Sequence, residues 1–190
     1  DPQVRCNTTA GADRLTPDAS RLIATLRVTE VFYSLQGETS RVGLPTVFIR
    51  LTGCPLRCGY CDTTYAFHGG TTMTLAAVLA AAAQYRTRYV TVTGGEPLAQ
   101  KNCIPLLREL CDRDYSVSLE TSGAIDVSPV DARIAKILDL KTPGSGEVEK
   151  NRWENLAYLT ARGAKVILVS HMKSFVEDVG INRVLDLGTL

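Results

Sequence analysis

Cys54, Cys58 and Cys61 stand within eight residues, in the run Cys54-Pro55-Leu56-Arg57-Cys58-Gly59-Tyr60-Cys61. Thiolates are soft ligands suited to zinc and to iron–sulfur clusters. A four-iron, four-sulfur cube commonly takes four of them, one for each iron. This C-x3-C-x2-C loop offers three, and no fourth cysteine stands at ligand spacing beside it. One iron would then keep an exchangeable position, and an open position separates a catalytic metal centre from a structural one. Two plainer readings stay open on these residues alone. The trio can hold zinc with a histidine as fourth ligand, and His68 lies seven residues beyond Cys61. Structural zinc sites usually show paired C-x2-C knuckles, and no second knuckle exists here. The three can also be small buried hydrophobes, which is the reading that suits the scattered Cys103 and Cys111.

The second carrier of chemistry is Thr93-Gly94-Gly95-Glu96-Pro97. Two glycines without side chains let a backbone approach a ligand closely and permit positive φ. Alone, the run reads equally as a strand-to-helix turn. Leu35-Gln36-Gly37-Glu38 and Arg50 precede the cysteine loop, Asp62-Thr63 closes it, and Asp139-Leu140-Lys141 follows downstream. Each has a quieter explanation. Arg50 can be a surface cation, Gln36-Gly37 a turn, Thr63 and Thr93 ordinary strand or loop residues, and Lys141 part of a solvated loop at 142–146.

Elements that would position these residues alternate along the chain. Strands are predicted over 28–33, 46–52, 89–93, 116–120, 134–140 and 164–170, the second rich in β-branched residues. Helices are predicted over 74–85, with Thr72 or Thr74 as N-cap, over 102–113, with Pro105 in the first turn, and over 151–160. Strands alternating with helices argue for parallel pairing through βα units. A full eight-unit barrel needs about 250 residues, so 190 residues predict an α/β fold of the partial, abbreviated TIM-like barrel kind. In such folds chemistry collects at the C-terminal ends of the strands. The cysteine loop follows the strand at 46–52 and the glycine pair follows the strand at 89–93, so the motifs are predicted to meet on one rim.

Composition agrees with a globular domain: 45% apolar, 22% charged and a net charge of +1. No broad electrostatic attraction to nucleic acid is implied, and no apolar run approaches the ~20 residues that span a bilayer. Residues 1–26 are polar and aperiodic and read as an irregular extension, with 27–190 as the core domain. Six cysteines without an apolar leader predict a reducing cytoplasm.

Taken together, these motifs resemble the radical S-adenosylmethionine enzymes and, within them, the 7-carboxy-7-deazaguanine synthase family. The Leu-Gln-Gly-Glu segment joined to Cys61-Asp62-Thr63 carries the narrower resemblance, which covers residues 28–160. It implies conversion of 6-carboxy-5,6,7,8-tetrahydropterin to 7-carboxy-7-deazaguanine and ammonia, in queuosine and deazapurine biosynthesis. It also implies a [4Fe-4S] cluster on Cys54, Cys58 and Cys61, S-adenosylmethionine beside Tyr60, Asp62, Gly95, Glu96, Asp139 and Lys141, and Mg²⁺ on Thr63. Leu35, Gln36, Gly37, Glu38, Arg50 and Thr93 would hold the pterin, with Arg50 offering a planar fork to its carboxylate. No side chain is assigned an acid–base or nucleophilic part, because the cofactors supply the difficult chemistry. An electron donor such as flavodoxin and a homodimer are further implications. From about residue 161 the chain departs from the family. The stretch 163–171 is faintly similar to a phosphoglycerate kinase strand, the family's closing glutamine-histidine-lysine segment is missing, and a truncation or fusion is the expected reason. A glycyl-radical activating protein and an inactive iron–sulfur-binding remnant are the alternatives.

Overall fold

The structure, a computed structural model, describes residues 19–38 and 40–160. The predicted strand at 164–170, Cys6, His171 and most of the N-terminal extension lie outside them. In chain order the elements are α1 (Ala19–Leu22), β1 (Thr25–Leu35), β2 (Pro45–Leu51), β3 (Thr71–Thr74), α2 (Leu75–Ala82), β4 (Tyr89–Gly94), α3 (Cys103–Asp112), β5 (Ser116–Thr121), β6 (Ala135–Leu138) and α4 (Ala157–Thr160), joined in places by short 3-10 turns.

Six strands form one sheet in the order β3-β1-β2-β4-β5-β6. From β2 to β6 the pairing is parallel, whereas β1 runs antiparallel to both β2 and β3. The parallel part is the abbreviated barrel that the alternation predicts. The antiparallel start is a difference, and the short connection between β1 and β2, residues 36–44, too short for a helical crossover, explains it. Thr72 is another correction. It lies within β3, paired with Arg27, and Thr74 alone caps α2 by accepting from the Ala77 N–H at 3.1 Å. The predicted helix at 151–160 is a 3-10 turn over Trp153–Leu156 followed by α4. Asn155 is spent there on backbone: it donates to Gly123 and Ile125 carbonyls and accepts from Val127 N–H.

Period-two alternation divides the sheet into two unlike faces. Val47, Ile49, Leu51, Val90, Val92, Val117, Leu119 and Leu138 join one buried core with Leu75, Val78 and Leu79 of α2 and Leu106, Leu107 and Leu110 of α3. The helix residues recur at three- and four-residue spacing, which gives each helix one apolar stripe for the sheet. Leu106 and Leu110 are fully buried, and such burial stabilises by about 1.5–3 kcal/mol per side chain. The opposite, concave face carries Phe48, Arg50, Thr91, Thr93, Ser118, Glu120 and Ile137. A face of that polarity is not built as a packed core. It lines a cleft.

Candidate active site

The concave face and the loops at its C-terminal rim enclose a cleft of about 650 Å³. Cys54, Cys58 and Cys61 line it, all three partly buried and free of disulfides. They follow β2, and the glycine pair follows the adjacent β4, so the two motifs do share one rim. Leu51 pairs with Gly94 in the β2–β4 register. Gly94 sits at φ +150, where a Cβ would overlap the Leu51 carbonyl, and a Cβ on Gly95 would meet that of Cys54 at 2.8 Å. Two glycines are therefore required for the strand end to nest against the cysteine loop. The Glu96 N–H then donates to the Gly53 carbonyl at 2.8 Å, fastening that loop at its root.

A second brace comes from the segment after β6. Gly59 N–H donates to the Ser145 carbonyl at 2.9 Å, the Arg57 N–H donates to Glu147 Oε1 at 2.5 Å, and the Tyr60 and Thr142 hydroxyls lie 3.4 Å apart. The loop is thus held at its root by β4 and over its middle by residues 142–147. Burial, chiefly, pushes the Cys54 and Cys58 thiols up, with neighbouring acidic groups and thiols adding to it; Lys141 opposes the rise at Cys58. Lys141 pairs with Asp139 at 2.6 Å. Its own burial disfavours the charge, but the charge and hydrogen bond of Asp139, together with Cys58 and Tyr60, hold the ammonium above its ordinary range.

The donor set suits a cluster with an open iron: three soft sulfurs on one clamped loop, facing a cleft. His68, the partner a zinc site would need, is exposed and does not line the cleft. Among the described residues, no three His, Cys, Asp or Glu side chains are gathered to hold a single ion. A four-iron cube is a wider body than one ion and takes its thiolates from farther apart. Thr63 lines the same cleft, its hydroxyl 3.7 Å from Cys61 Sγ.

Leu35, Gln36, Gly37 and Glu38 also line the cleft, but they do not arrive on the predicted rim. Because β1 is antiparallel, its C-terminal end lies beside the start of β2, with Leu35 opposite Pro45. The segment enters from the far end of the parallel strands and turns across the concave face. Gln36 is buried there, donating from Nε2 to Thr91 Oγ1 at 3.0 Å and to Glu120 Oε1 at 3.3 Å, while its Oε1 accepts the Gly37 and Glu38 N–H groups. Thr91 continues the chain to Ser118, hydroxyl to hydroxyl at 2.8 Å. Partial burial, then the carboxylates of Glu120, Asp139 and Asp62, hold the Glu38 carboxyl above its usual range.

Of the remaining residues read from sequence, Tyr60, Asp62, Arg50, Thr93, Gly95, Asp139 and Lys141 all line the cleft. Glu96 does not. It is fully buried, and its carboxylate accepts from Leu98 N–H, the Thr121 hydroxyl, and both the N–H and hydroxyl of Ser122. Its oxygens are already surrounded by donors from its own turn, from the end of β5 and from the residue that follows. Sequence reasoning assigned no site role to Glu120, Thr91 or the stacked pair of Phe32 and Phe48, whose ring centroids lie 5.0 Å apart. Period-two alternation in β4 and β5 was the available signal for Thr91 and Glu120.

The sequence profile described as the Radical SAM superfamily matches residues 48–143. A 7-carboxy-7-deazaguanine synthase of Chlorobaculum tepidum is 48% identical over 128 residues, which cover 67% of this chain and 58% of the relative. One of Hyperthermus butylicus is 33% identical over 179 residues, covering 86% of this chain and 76% of the relative. A crystal structure of QueE from Escherichia coli superposes with a TM-score of 0.58 at 26% identity, covering 71% of this chain and 75% of that one. The chain spans 53–61% of the length of three of its more similar relatives.

Proposed function

The chain belongs to the radical S-adenosylmethionine superfamily and to its 7-carboxy-7-deazaguanine synthase family, and from that premise we propose that it converts 6-carboxy-5,6,7,8-tetrahydropterin to 7-carboxy-7-deazaguanine with release of ammonia. The enzyme is a carbon–nitrogen lyase of deazapurine and queuosine biosynthesis. The observation that carries this reading is the meeting, in one cleft, of three free cysteines on a clamped loop with the polar concave face of the sheet. When bound, a [4Fe-4S] cluster and S-adenosylmethionine supply a one-electron reduction and a carbon-centred radical that takes hydrogen from the substrate.

The protein's part is to hold, orient and shield. Cys54, Cys58 and Cys61 hold the cluster as thiolates. Tyr60, Asp62, the Gly95 backbone and the Asp139–Lys141 pair surround S-adenosylmethionine, whose amino and carboxylate groups suit partners of both signs. Glu96 serves the same pocket from below, fixing Gly95 against the loop that begins at Ser122. Thr63, whose hydroxyl faces the cleft, would give an oxygen to Mg²⁺, an ion that takes few protein ligands. Leu35, Gln36, Gly37 and Glu38 border the pterin, Gln36 and Glu38 through directional hydrogen bonds, and Thr93 touches it from β4. Arg50 receives the substrate carboxylate. Phe32 and Phe48 keep the inner floor apolar and limit the water around a reactive intermediate.

Among the described residues no helix is long and apolar enough to cross a membrane. On the family resemblance alone, we place the protein in the cytoplasm as a homodimer reduced by a donor such as flavodoxin. The deciding experiment is oxygen-free reconstitution followed by dithionite, S-adenosylmethionine, Mg²⁺ and the carboxytetrahydropterin. Formation of 7-carboxy-7-deazaguanine is the expected result. Cleavage of S-adenosylmethionine without that product would overturn the substrate assignment, and no cleavage at all would overturn the activity.

A further inference from the structure

Arg50 is held by a residue that none of the motifs contains. Along β1 and β2, Val28 faces Leu51 and Glu30 faces Arg50, so the register shifts by one residue between them. In a regular strand, Val28 and Glu30 would point to the same face, and Val28 is part of the buried core. A bulge at Thr29 reverses that alternation and brings Glu30 onto the concave face with Arg50. Thr29 is fixed in turn by a 2.7 Å contact between its hydroxyl and that of Thr52.

Glu30 Oε1 accepts from Arg50 Nε at 2.7 Å and from the Tyr65 hydroxyl at 3.1 Å. The guanidinium carbon lies 5.5 Å from the ring centre of Phe32 and 5.8 Å from that of Tyr65. Among the described residues, the hydrogen bonds of the Arg50 side chain are confined to Nε. One edge of a planar five-donor fork is therefore anchored, two rings fix its plane, and the Nη donors remain for a ligand.

We infer that Glu30 is a positioning residue for Arg50, setting the guanidinium so that its Nη edge receives a carboxylate in the cleft. This rests on the reading of Arg50 as the carboxylate receptor. Tyr65, four residues beyond Cys61, ties the same arrangement to the segment that follows the cluster loop. Two effects of Glu30 oppose each other. Its charge repels an anionic ligand, whereas its hydrogen bond removes the rotamer freedom that binding would otherwise have to freeze. The pair is part-buried and doubly stacked, and orientation outweighs repulsion.

The test is equilibrium binding to cluster-reconstituted protein of 6-carboxytetrahydropterin and of unsubstituted tetrahydropterin, alongside iron content. Glu30→Ala is expected to weaken the carboxylated ligand on the order of tenfold, the scale of a hydrogen bond to a charged group, and to leave the unsubstituted one unchanged. Glu30→Gln keeps an acceptor and restores most of the loss. In an Arg50→Gln background, Glu30→Ala has no further effect. Tyr65→Phe changes an exposed side chain, tolerable even if Glu30→Ala folds poorly, and shows a smaller loss of the same selectivity. Equal or tighter binding of the carboxylated pterin by Glu30→Ala and Tyr65→Phe overturns the inference, as does equal loss for both ligands. A wild-type protein that does not prefer the carboxylated pterin overturns the Arg50 assignment itself.

Discussion

Both the N–H and the hydroxyl of Ser122 donate to one oxygen of the Glu96 carboxylate, at 2.8 and 2.5 Å. The bond joins the end of β4 to the loop after β5, so the glycine turn beneath the cluster loop is anchored from its neighbour strand. Glu96→Ala leaves the buried Thr121 hydroxyl and the Ser122 N–H and hydroxyl without this acceptor, and each such group costs about 1–3 kcal/mol. A loss of about 3 kcal/mol or more is expected in urea denaturation of the metal-free protein. Unchanged stability would show that the carboxylate is not structural.

Gly95→Ala is expected to lower iron incorporation as well as stability. The added Cβ would lie 2.8 Å from that of Cys54 and would overlap the Gly53 carbonyl. Relieving such overpacking costs about 1–3 kcal/mol, and the part free to move is the loop that carries the first ligand. Iron and sulfide analysis after reconstitution checks it. Full loading in a stable variant would mean that the turn does not set the loop.

Thr63→Ala should raise the Mg²⁺ concentration for half-maximal product formation, on the order of tenfold, while changing S-adenosylmethionine cleavage far less. Losing one oxygen ligand affects an ion that dehydrates reluctantly and has few protein donors to spare. An unchanged Mg²⁺ titration would remove the role.

Glu38→Gln tests the acidic side of the cleft. Partial burial, then Glu120, Asp139 and Asp62, hold the Glu38 carboxyl above its ordinary range. The folded state therefore binds that proton more tightly than the unfolded chain. Its contribution is favourable below the ordinary carboxylate range and is lost as pH rises through the elevated folded value. The glutamine variant should match wild type in acid and become the more stable of the two toward neutrality. Denaturation midpoints collected across pH measure it. Parallel profiles would show that Glu38 does not carry the strain.

Local chemistry and the parallel pairing of β2 with β4 were legible in the sequence, and the antiparallel pairing of β1 was not. The cysteine spacing, the Gly94-Gly95 turn and the parallel β2-β4 neighbourhood depend on adjacent residues, and all are found where the residues predict them. The approach of Gln36 from the opposite end depends on β1 running antiparallel, which motif order along the chain does not encode. Glu30 was invisible for a similar reason, since a bulge at Thr29 reverses the alternation that would have buried it. The family resemblance places the Glu96 motif at the cofactor, but Thr121 and Ser122 arrive from the end of another strand to occupy the carboxylate oxygens. Thr71–Thr74 is polar enough to pass for a helix cap, and only its pairing with β1 makes it a strand.

Mössbauer spectroscopy of iron-57-reconstituted, oxygen-free protein, with and without S-adenosylmethionine, tests most directly whether three thiolates leave one iron open. A single iron site is expected to shift when S-adenosylmethionine is added, while the thiolate-bound sites keep their parameters. A spectrum insensitive to S-adenosylmethionine, or zinc in place of iron, would contradict the assignment of Cys54, Cys58 and Cys61.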